Sequence, residues 1–185
     1  MRQNRATAPF IATATLAFAL ATPSLAATPR TFPVQGHGSL VLDVPASWTS
    51  TVEQDADMEI ASIKIVPPKG NDPVIRITAV WSVAKDASFN TPENLKRLLQ
   101  RDQLELANGV VDHDAPISAI DGPFAHGAWF TATEKPSRDD APAYIHRARA
   151  AVGDLMLVVS IASKEKASPA IEEALAMLSG ARQAP

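Results

Sequence analysis

Only two segments of this chain have the apolar periodicity of an α-helix, and that scarcity constrains the fold more than any other feature. Each begins with a hydroxyl residue followed by proline, at Thr91-Pro92 and Ser168-Pro169, which is typical of an N-cap with proline in the first turn. The first ends at Asn108-Gly109 and has Asp102 interrupting its apolar stripe, and the second ends at Gly180. Strand-like sequence fills most of the remainder, which favours an antiparallel α+β layer over a doubly wound parallel sheet.

Seven other segments have the alternation or the composition of β-strands. The last of these is apolar on both faces, which is typical of a strand in the middle of a sheet. The second changes phase near Ala61-Ser62, as a β-bulge would produce. We therefore expect an antiparallel sheet of about six or seven strands flanked by two main helices, an α/β/α sandwich. The predicted strands are Ser39–Val44, Met58–Val66, Val74–Trp81, Ala115–Ile120, Phe124–Glu134, Tyr144–Ala151 and Leu155–Ala162.

Residues 1–26 have the features of a cleavable signal peptide. Arg2 and Arg5 supply a positive start, and an apolar run over residues 10–20 follows. Small residues around Ser24-Leu25-Ala26 predict cleavage after Ala26. The apolar run is shorter than the roughly 18 residues that a transmembrane helix needs. We therefore predict a periplasmic or secreted protein with no transmembrane segment in the mature chain.

The rest of the chain is long enough for one domain with a complete hydrophobic core. Residues 27–38 hold two prolines and two glycines and are predicted to be a flexible lead-in. A single α+β domain is then expected over residues 39–181, followed by a short tail at 182–185. No internal repeat divides this region.

Composition and motifs exclude several functions. The chain has no cysteine, so it has no disulfide, no thiol nucleophile and no lipidated N-terminal cysteine. Its formal net charge of −3 gives no overall attraction to nucleic acid or anionic membranes. The sequence lacks the nucleophile elbow, the zinc-protease helix motif, the phosphate-binding loop and the dinucleotide fingerprint. We therefore predict a non-enzymatic protein without a cofactor.

A proline and tryptophan corner follows the first predicted strand, in the segment Gly38-Ser39-Leu40-Val41-Leu42-Asp43-Val44-Pro45-Ala46-Ser47-Trp48. Together with the strand order and the closing strand and helix, it resembles the PsbP-like superfamily. That group includes the oxygen-evolving-complex subunit PsbP, the Ran guanine-nucleotide release factor and the periplasmic protein DcrB. The resemblance implies an antiparallel sheet flanked by helices, and a role in binding other proteins or assisting assembly. It implies no catalytic residues.

A cationic and aromatic patch is the leading candidate for a binding surface. Arg147 and Arg149 share one face of a predicted strand, since side chains alternate along a strand. A hairpin turn near Arg138-Asp139 would place Trp129 opposite Arg149, where guanidinium and indole could form a cation–π contact. Such a patch, with Thr131 and Ser160 beside it, would suit an acidic partner or an anionic ligand.

The competing interpretation of that patch is structural. The aliphatic parts of the two arginine side chains could simply cover the indole. Glu172 or Glu173 of the second helix could neutralise the arginines, with Trp129 packed beneath that helix. The structure can distinguish the binding interpretation from the structural one, because a binding surface requires unpaired arginines beside a partly exposed indole.

The densest polar cluster is Asp112-His113-Asp114, which could offer carboxylate and imidazole ligands to a divalent metal. In an extended segment Asp112 and Asp114 point to one side while His113 turns away. The alternative is a solvated loop after the first helix.

The other polar and aromatic candidates are interpreted as structural. His126 and His146 lie on adjacent predicted strands but are too far apart along the ladder to share a ligand. Trp48 and Trp81 are predicted to be core residues. The segment Gly36-His37-Gly38-Ser39 is predicted to be a loop and not a nucleophile turn.

Two functional hypotheses follow. The first is an exported accessory domain of the cell envelope that binds a protein or another partner. The second is a periplasmic protein that binds a small ligand or a divalent metal.

Overall fold

The computed structural model describes residues 27–54, 61–68, 72–136 and 141–185. The predicted signal peptide at 1–26, the first part of the predicted strand Met58–Val66 and the predicted turn at Arg138-Asp139 lie outside these ranges.

Strands dominate the described ranges, and two helices interrupt them, as the sequence predicts. Five strands precede the first helix, whereas the sequence predicts three. The elements are β1 (Ala27–Pro33), β2 (Ser39–Pro45), β3 (Thr49–Glu53), β4 (Ser62–Val66), β5 (Val74–Trp81), α1 (Pro92–Leu106), β6 (Ser118–Asp121), β7 (Ala125–Thr133), β8 (Tyr144–Val152), β9 (Leu155–Ser163), α2 (Pro169–Ser179) and β10 (Arg182–Ala184).

Seven of the strands form one antiparallel sheet in the order β3-β4-β5-β9-β8-β7-β6. The prediction that the doubly apolar strand is central is confirmed, because β9 has three strands on each side. The remaining strands form a second, smaller antiparallel sheet in the order β1-β2-β10.

The large sheet is covered differently on its two faces. Helix α1 packs on one face against β7 and β8, where Leu99 contacts a buried cluster around Phe130. Helix α2 and the small sheet cover the other face and enclose the main core, which contains Trp48 and the apolar side of β2. The predicted α+β class with two flanking helices is confirmed.

The predicted flexible lead-in and the predicted tail are wrong in part, because both contain strands. Strand β1 pairs with β2 along its whole length, from Ala27 opposite Pro45 to Pro33 opposite Ser39. Its prolines are tolerated because β1 is an edge strand with one unpaired side. Strand β10 pairs with the other side of β2. Its three residues are too few to show any periodicity.

Both predicted helix starts are confirmed by their hydrogen bonds. The Thr91 hydroxyl accepts from the backbone N–H of Asn94, and the Ser168 hydroxyl accepts from that of Ile171. Each cap satisfies one of the unpaired N–H groups that a helix N-terminus presents.

Candidate functional site

The strand register separates the predicted patch into two places. Trp129 pairs with Ala148, and Arg149 pairs with Ala128. The predicted register is wrong by one residue, and a shift of one residue moves a side chain to the opposite face. Trp129 therefore lies on the α2 face of the sheet, whereas Arg147 and Arg149 lie on the α1 face. The structure does not bring the three residues together.

Trp129 lies half-buried beside α2. It lines a shallow depression of about 290 Å³ with Leu175 and Ala176 of α2. Its ring centroid is 6.2 Å from that of His146 on the same face. This placement matches the structural interpretation, in which the indole packs against the second helix.

Arg149 is paired beneath α1. Its Nε donates to Asp102 Oδ2 at 2.8 Å, and its second guanidinium nitrogen donates to Oδ1 at 2.7 Å. The two side chains are only 18% and 14% exposed, so water screens this bidentate pair weakly. The pair explains why Asp102 interrupts the apolar stripe of α1. The structural interpretation is therefore right that a helix carboxylate neutralises Arg149. That carboxylate is Asp102 of α1, and not Glu172 or Glu173 of α2.

Arg147 has a different environment from Arg149. It is half-buried, and its Nε is buried without a hydrogen-bond partner in the described part of the chain. Burial lowers the pKa of the Arg147 guanidinium from its usual value, and the nearby charge of Asp102 opposes that shift. An incompletely compensated cation of this kind would gain from contact with an anion.

Arg147 belongs to a row of residues that crosses four neighbouring strands. Lys64 pairs with Arg76, Arg76 pairs with Ser160, and Ser160 pairs with Arg147. Since directly paired residues lie on one face, the three cations and the serine line up across the sheet. We call Lys64, Arg76, Ser160 and Arg147 the cationic row.

The cationic row begins at Arg147, beside α1 on β8, and its other three residues lie on strands beyond the main contact area of that helix. Helix α1 packs on β7 and β8, and its start reaches only the end of β5 and β9 near Val80 and Met156. Among the described residues, Glu53 forms ion pairs with two members of the row. Its carboxylate oxygens lie 3.3 Å from Lys64 Nζ and 3.6 Å from Arg76 Nε. A hollow of about 410 Å³ lies at the Lys64–Arg76 end of the row. This surface has a positive charge and room for a partner.

Sequence reasoning missed Lys64 and Arg76, although a signal was present. Both alternate with isoleucines along their strands, which marks the face opposite the core. Which strands are neighbours depends on long-range pairing, and no local pattern reveals it.

The predicted metal cluster is dispersed. Asp112 accepts hydrogen bonds from the backbone N–H and the hydroxyl of Thr133, which ties the loop after α1 to β7. Asp114 and His113 are exposed. Among the described residues no group of three or more His, Cys, Asp or Glu side chains could hold a metal ion. A metal role for Asp112 and Asp114 stays a prediction.

The structural interpretation of His146 is confirmed. This residue is 1% exposed, and its Nε2 contacts the Ser163 hydroxyl at 3.0 Å. Ser163 donates its own proton to the carbonyl of Glu165, so its oxygen must accept from His146 Nε2–H. His146 Nδ1 then accepts from the Thr131 hydroxyl at 2.8 Å. Burial lowers the pKa of His146 to about 4, which keeps the ring neutral.

A second concave surface lies where β5 ends, and we call it the end groove. It has a volume of about 560 Å³ and is lined by residues of the β5–α1 loop together with His37, Trp81 and Asp154. The prediction that Trp48 is a core residue is confirmed, because it is 4% exposed. The same prediction for Trp81 is only partly right, because Trp81 is half-buried and forms one wall of this groove.

A hydrogen-bonded network from three elements, with Trp81 of β5 stacked against it, holds one side of the end groove. His37, in the β1–β2 turn, donates from Nδ1 to Asp154 in the β8–β9 turn at 2.6 Å. Gln183 of β10 donates to the carboxylate of Asp154 and to the carbonyl of His37. The imidazole stacks on the Trp81 ring with centroids 4.6 Å apart. The hydrogen bond from His37 holds the pKa of Asp154 below its usual value.

Comparison with known proteins shows the fold. No known family and no curated protein matches the sequence. The solution structure of cyanobacterial PsbP (CyanoP) from Synechocystis sp. PCC 6803 matches with a TM-score of 0.52 and 7% identity, covering 90% of this chain and 99% of that one. A protein from Bacteroides thetaiotaomicron VPI-5482 matches with a TM-score of 0.50 and 16% identity, covering 79% of this chain. This chain spans 45% of the length of the Bacteroides protein.

These observations define the class of protein. The chain is an α+β domain with a PsbP-like fold. Within the described ranges, no helix is both long enough and apolar enough to cross a membrane.

Proposed function

We propose that this protein is an exported, non-enzymatic accessory domain of the cell envelope that binds a partner through the cationic row. The PsbP-like fold supports an accessory or binding role. The sequence supports export, through the features of its first 26 residues. The observation that carries the proposal is the alignment of Lys64 and Arg76 with Arg147 across the large sheet, with Lys64 and Arg76 beyond the strands on which α1 packs.

The chemistry of the row favours an acidic partner. The three cations have one carboxylate partner, Glu53, among the described residues, while the whole chain has a formal net charge of −3. Opposite charges at an interface accelerate association and select the partner, and salt screens their attraction. We expect partner binding to weaken as ionic strength rises.

Charge reversal on the row tests this proposal. The variant Lys64→Glu with Arg76→Glu is compared with Lys96→Glu with Arg97→Glu, which makes the same change in net charge on the exposed side of α1. In chemical cross-linking of the envelope fraction, the wild type and the α1 variant should capture the same acidic partner, and the row variant should lose it. Equal capture by the two variants would contradict the proposal.

Export is tested separately by the mature N-terminus. We expect the protein purified from the envelope to begin at Ala27, and deletion of residues 2–26 to leave it in the cytosol. A native protein that still carried residues 1–26 would contradict the proposal of export. It would not affect the proposal that the cationic row binds a partner.

The alternative function is binding of a small ligand or a divalent metal. The end groove favours the small ligand, because its volume lies within the range of small-molecule sites. For the metal, the test is the rise in melting temperature with divalent ions. Asp114→Ala is the informative variant, because Asp112→Ala also removes the hydrogen bonds to Thr133.

A further inference from the structure

The end groove has an apolar wall that is preorganised. The ring of Trp81 stacks on His37, and His37 is in turn fixed by its hydrogen bond to Asp154. Phe89, Ala87 and Val83 supply further apolar surface, and Val83 is 89% exposed. An apolar ligand body can therefore pack on a surface that loses little conformational freedom on binding.

The polar groups of the end groove are mostly hydrogen-bond acceptors. Asp86 and Asp154 contribute ionised carboxylates, and hydrogen bonds from Ser88 and His37 respectively hold their pKa values below the usual range. His37 donates from Nδ1 to the Asp154 carboxylate, so this ring nitrogen is already engaged. Lys85 is the cation among the described lining residues.

Asn90 also lines the groove, and its side-chain amide is fixed by the strand turn beneath it. Its Nδ2 donates to the carbonyls of Gly153 and Leu155 at 3.2 and 3.1 Å, which fixes the orientation of the amide. Its Oδ1 is buried and has no partner in the described part of the chain. An unsatisfied buried carbonyl is destabilising.

We propose that the end groove is a binding site for a small organic amine with an apolar skeleton. The ammonium group would pair with the carboxylates of Asp86 and Asp154, and the hydrocarbon part would pack on Trp81. An ammonium group brings three donors and a positive charge, which complements a lining rich in acceptors. The face of an indole also attracts cations. The site shares no residue with the cationic row, and the inference rests on the alternative function, for which it names the class of small ligand.

A purely structural role accounts for only part of this arrangement. The bonds among His37, Asp154 and Gln183 hold two turns to β10, and the bonds of Asp86 to Ser88 shape the loop. Neither set requires an aromatic wall beside the carboxylates. Complementarity to an amine accounts for the wall and the carboxylates together.

Three probes of similar shape and different charge test the proposal. Phenylethylamine, phenylethanol and phenylpropionate are titrated at pH 7.5 into the purified protein, and binding is followed by tryptophan fluorescence and melting temperature. We expect a saturable response to the amine and weaker responses to the alcohol and the acid. Equal responses to all three probes, or none, would overturn the proposal.

Variants locate the response. Asp86→Asn should weaken amine binding roughly two- to fivefold, because an exposed ion pair contributes modestly. Trp81→Leu should abolish amine binding as measured by the shift in melting temperature. Asp86→Asn leaves the hydrogen bonds among His37, Asp154 and Gln183 in place, so it should not disturb that part of the fold. The matched control is Asp114→Asn, an exposed carboxylate outside the groove. Unchanged binding in both groove variants would place the amine elsewhere and sink the proposal.

Discussion

At the scale of single residues, the burial of His146 makes the stability of the fold depend on pH. Its folded pKa is lowered to about 4 from 6.5 because burial disfavours the charged ring. Between these values the unfolded chain binds the proton and the folded chain does not, so stability is lost as pH falls. The full contribution of His146 to the unfolding free energy is therefore present above pH 6.5. Below pH 4 the unfolding free energy is lower by about 3 kcal/mol.

We predict that His146→Gln flattens the pH dependence of the unfolding free energy in that window. Glutamine removes the titration while its amide can still hydrogen-bond to Thr131 or Ser163. Denaturant unfolding at a series of pH values checks this, with His113→Gln as the exposed control. Asp86 and Asp154 have lowered pKa values and affect stability only at more acidic pH. An unchanged slope in His146→Gln would contradict the assignment.

The Arg149–Asp102 pair gives a second prediction for a single residue. Asp102→Ala leaves a half-buried guanidinium without its partner, and we expect it to lower the unfolding free energy by about 1–3 kcal/mol. Glu105→Ala removes the exposed partner of Arg101 and should change stability by less than about 0.5 kcal/mol. Equal effects would show that the bidentate geometry contributes little.

At the scale of elements, local signals located the helices and long-range pairing decided the rest. The two cap and proline pairs coincide with the helix starts, since α1 begins at Pro92 and α2 at Pro169. Strand β3 carries no such signal, because most of it is exposed and Val52 is 59% exposed. The register of β7 and β8 depends on the length and shape of the turn between them, which alternation alone does not fix. That single error placed Trp129 on the wrong face.

Strand β10 supplies the prediction at this scale. Deleting residues 182–185 removes the pairing with β2, the hydrogen bonds of Gln183 and the ion pair of Arg182 with Asp43. Three or more lost interactions imply a loss of roughly 2–4 kcal/mol in unfolding free energy. Thermal unfolding measures it, with deletion of Pro185 alone as the control. No loss would mean that β10 is dispensable.

The position of β10 also explains the glycine at residue 38. Its φ of +72° favours glycine, and a Cβ there would lie 2.2 Å from the carbonyl oxygen of Ala184. The close approach of the two chain segments therefore explains why the turn after β1 holds a glycine. The sequence alone showed only that a turn was present.

At the scale of the whole molecule, one sheet carries two chemically different environments on its α1 face. The side over β7 and β8 is sealed by α1 around Leu99, which is fully buried. The side over β9, β5 and β4 holds the Lys64, Arg76 and Ser160 part of the cationic row, with Lys64 34% and Arg76 53% exposed. The packing of α1 around Leu99 contributes to stability, and the exposed charges of Lys64 and Arg76 are the surface that we propose for partner binding.

The last prediction follows from this division. Lys64→Gln with Arg76→Gln should change the unfolding free energy by less than about 1 kcal/mol, because exposed ion pairs contribute little. Leu99→Ala should lower it by about 2–5 kcal/mol, because it leaves a cavity in the packed core. Denaturant unfolding of the two variants measures both effects. If the glutamine variant lost as much stability as Leu99→Ala, the cationic row would be part of the structural framework, and its proposed role in binding an acidic partner would lose its main support.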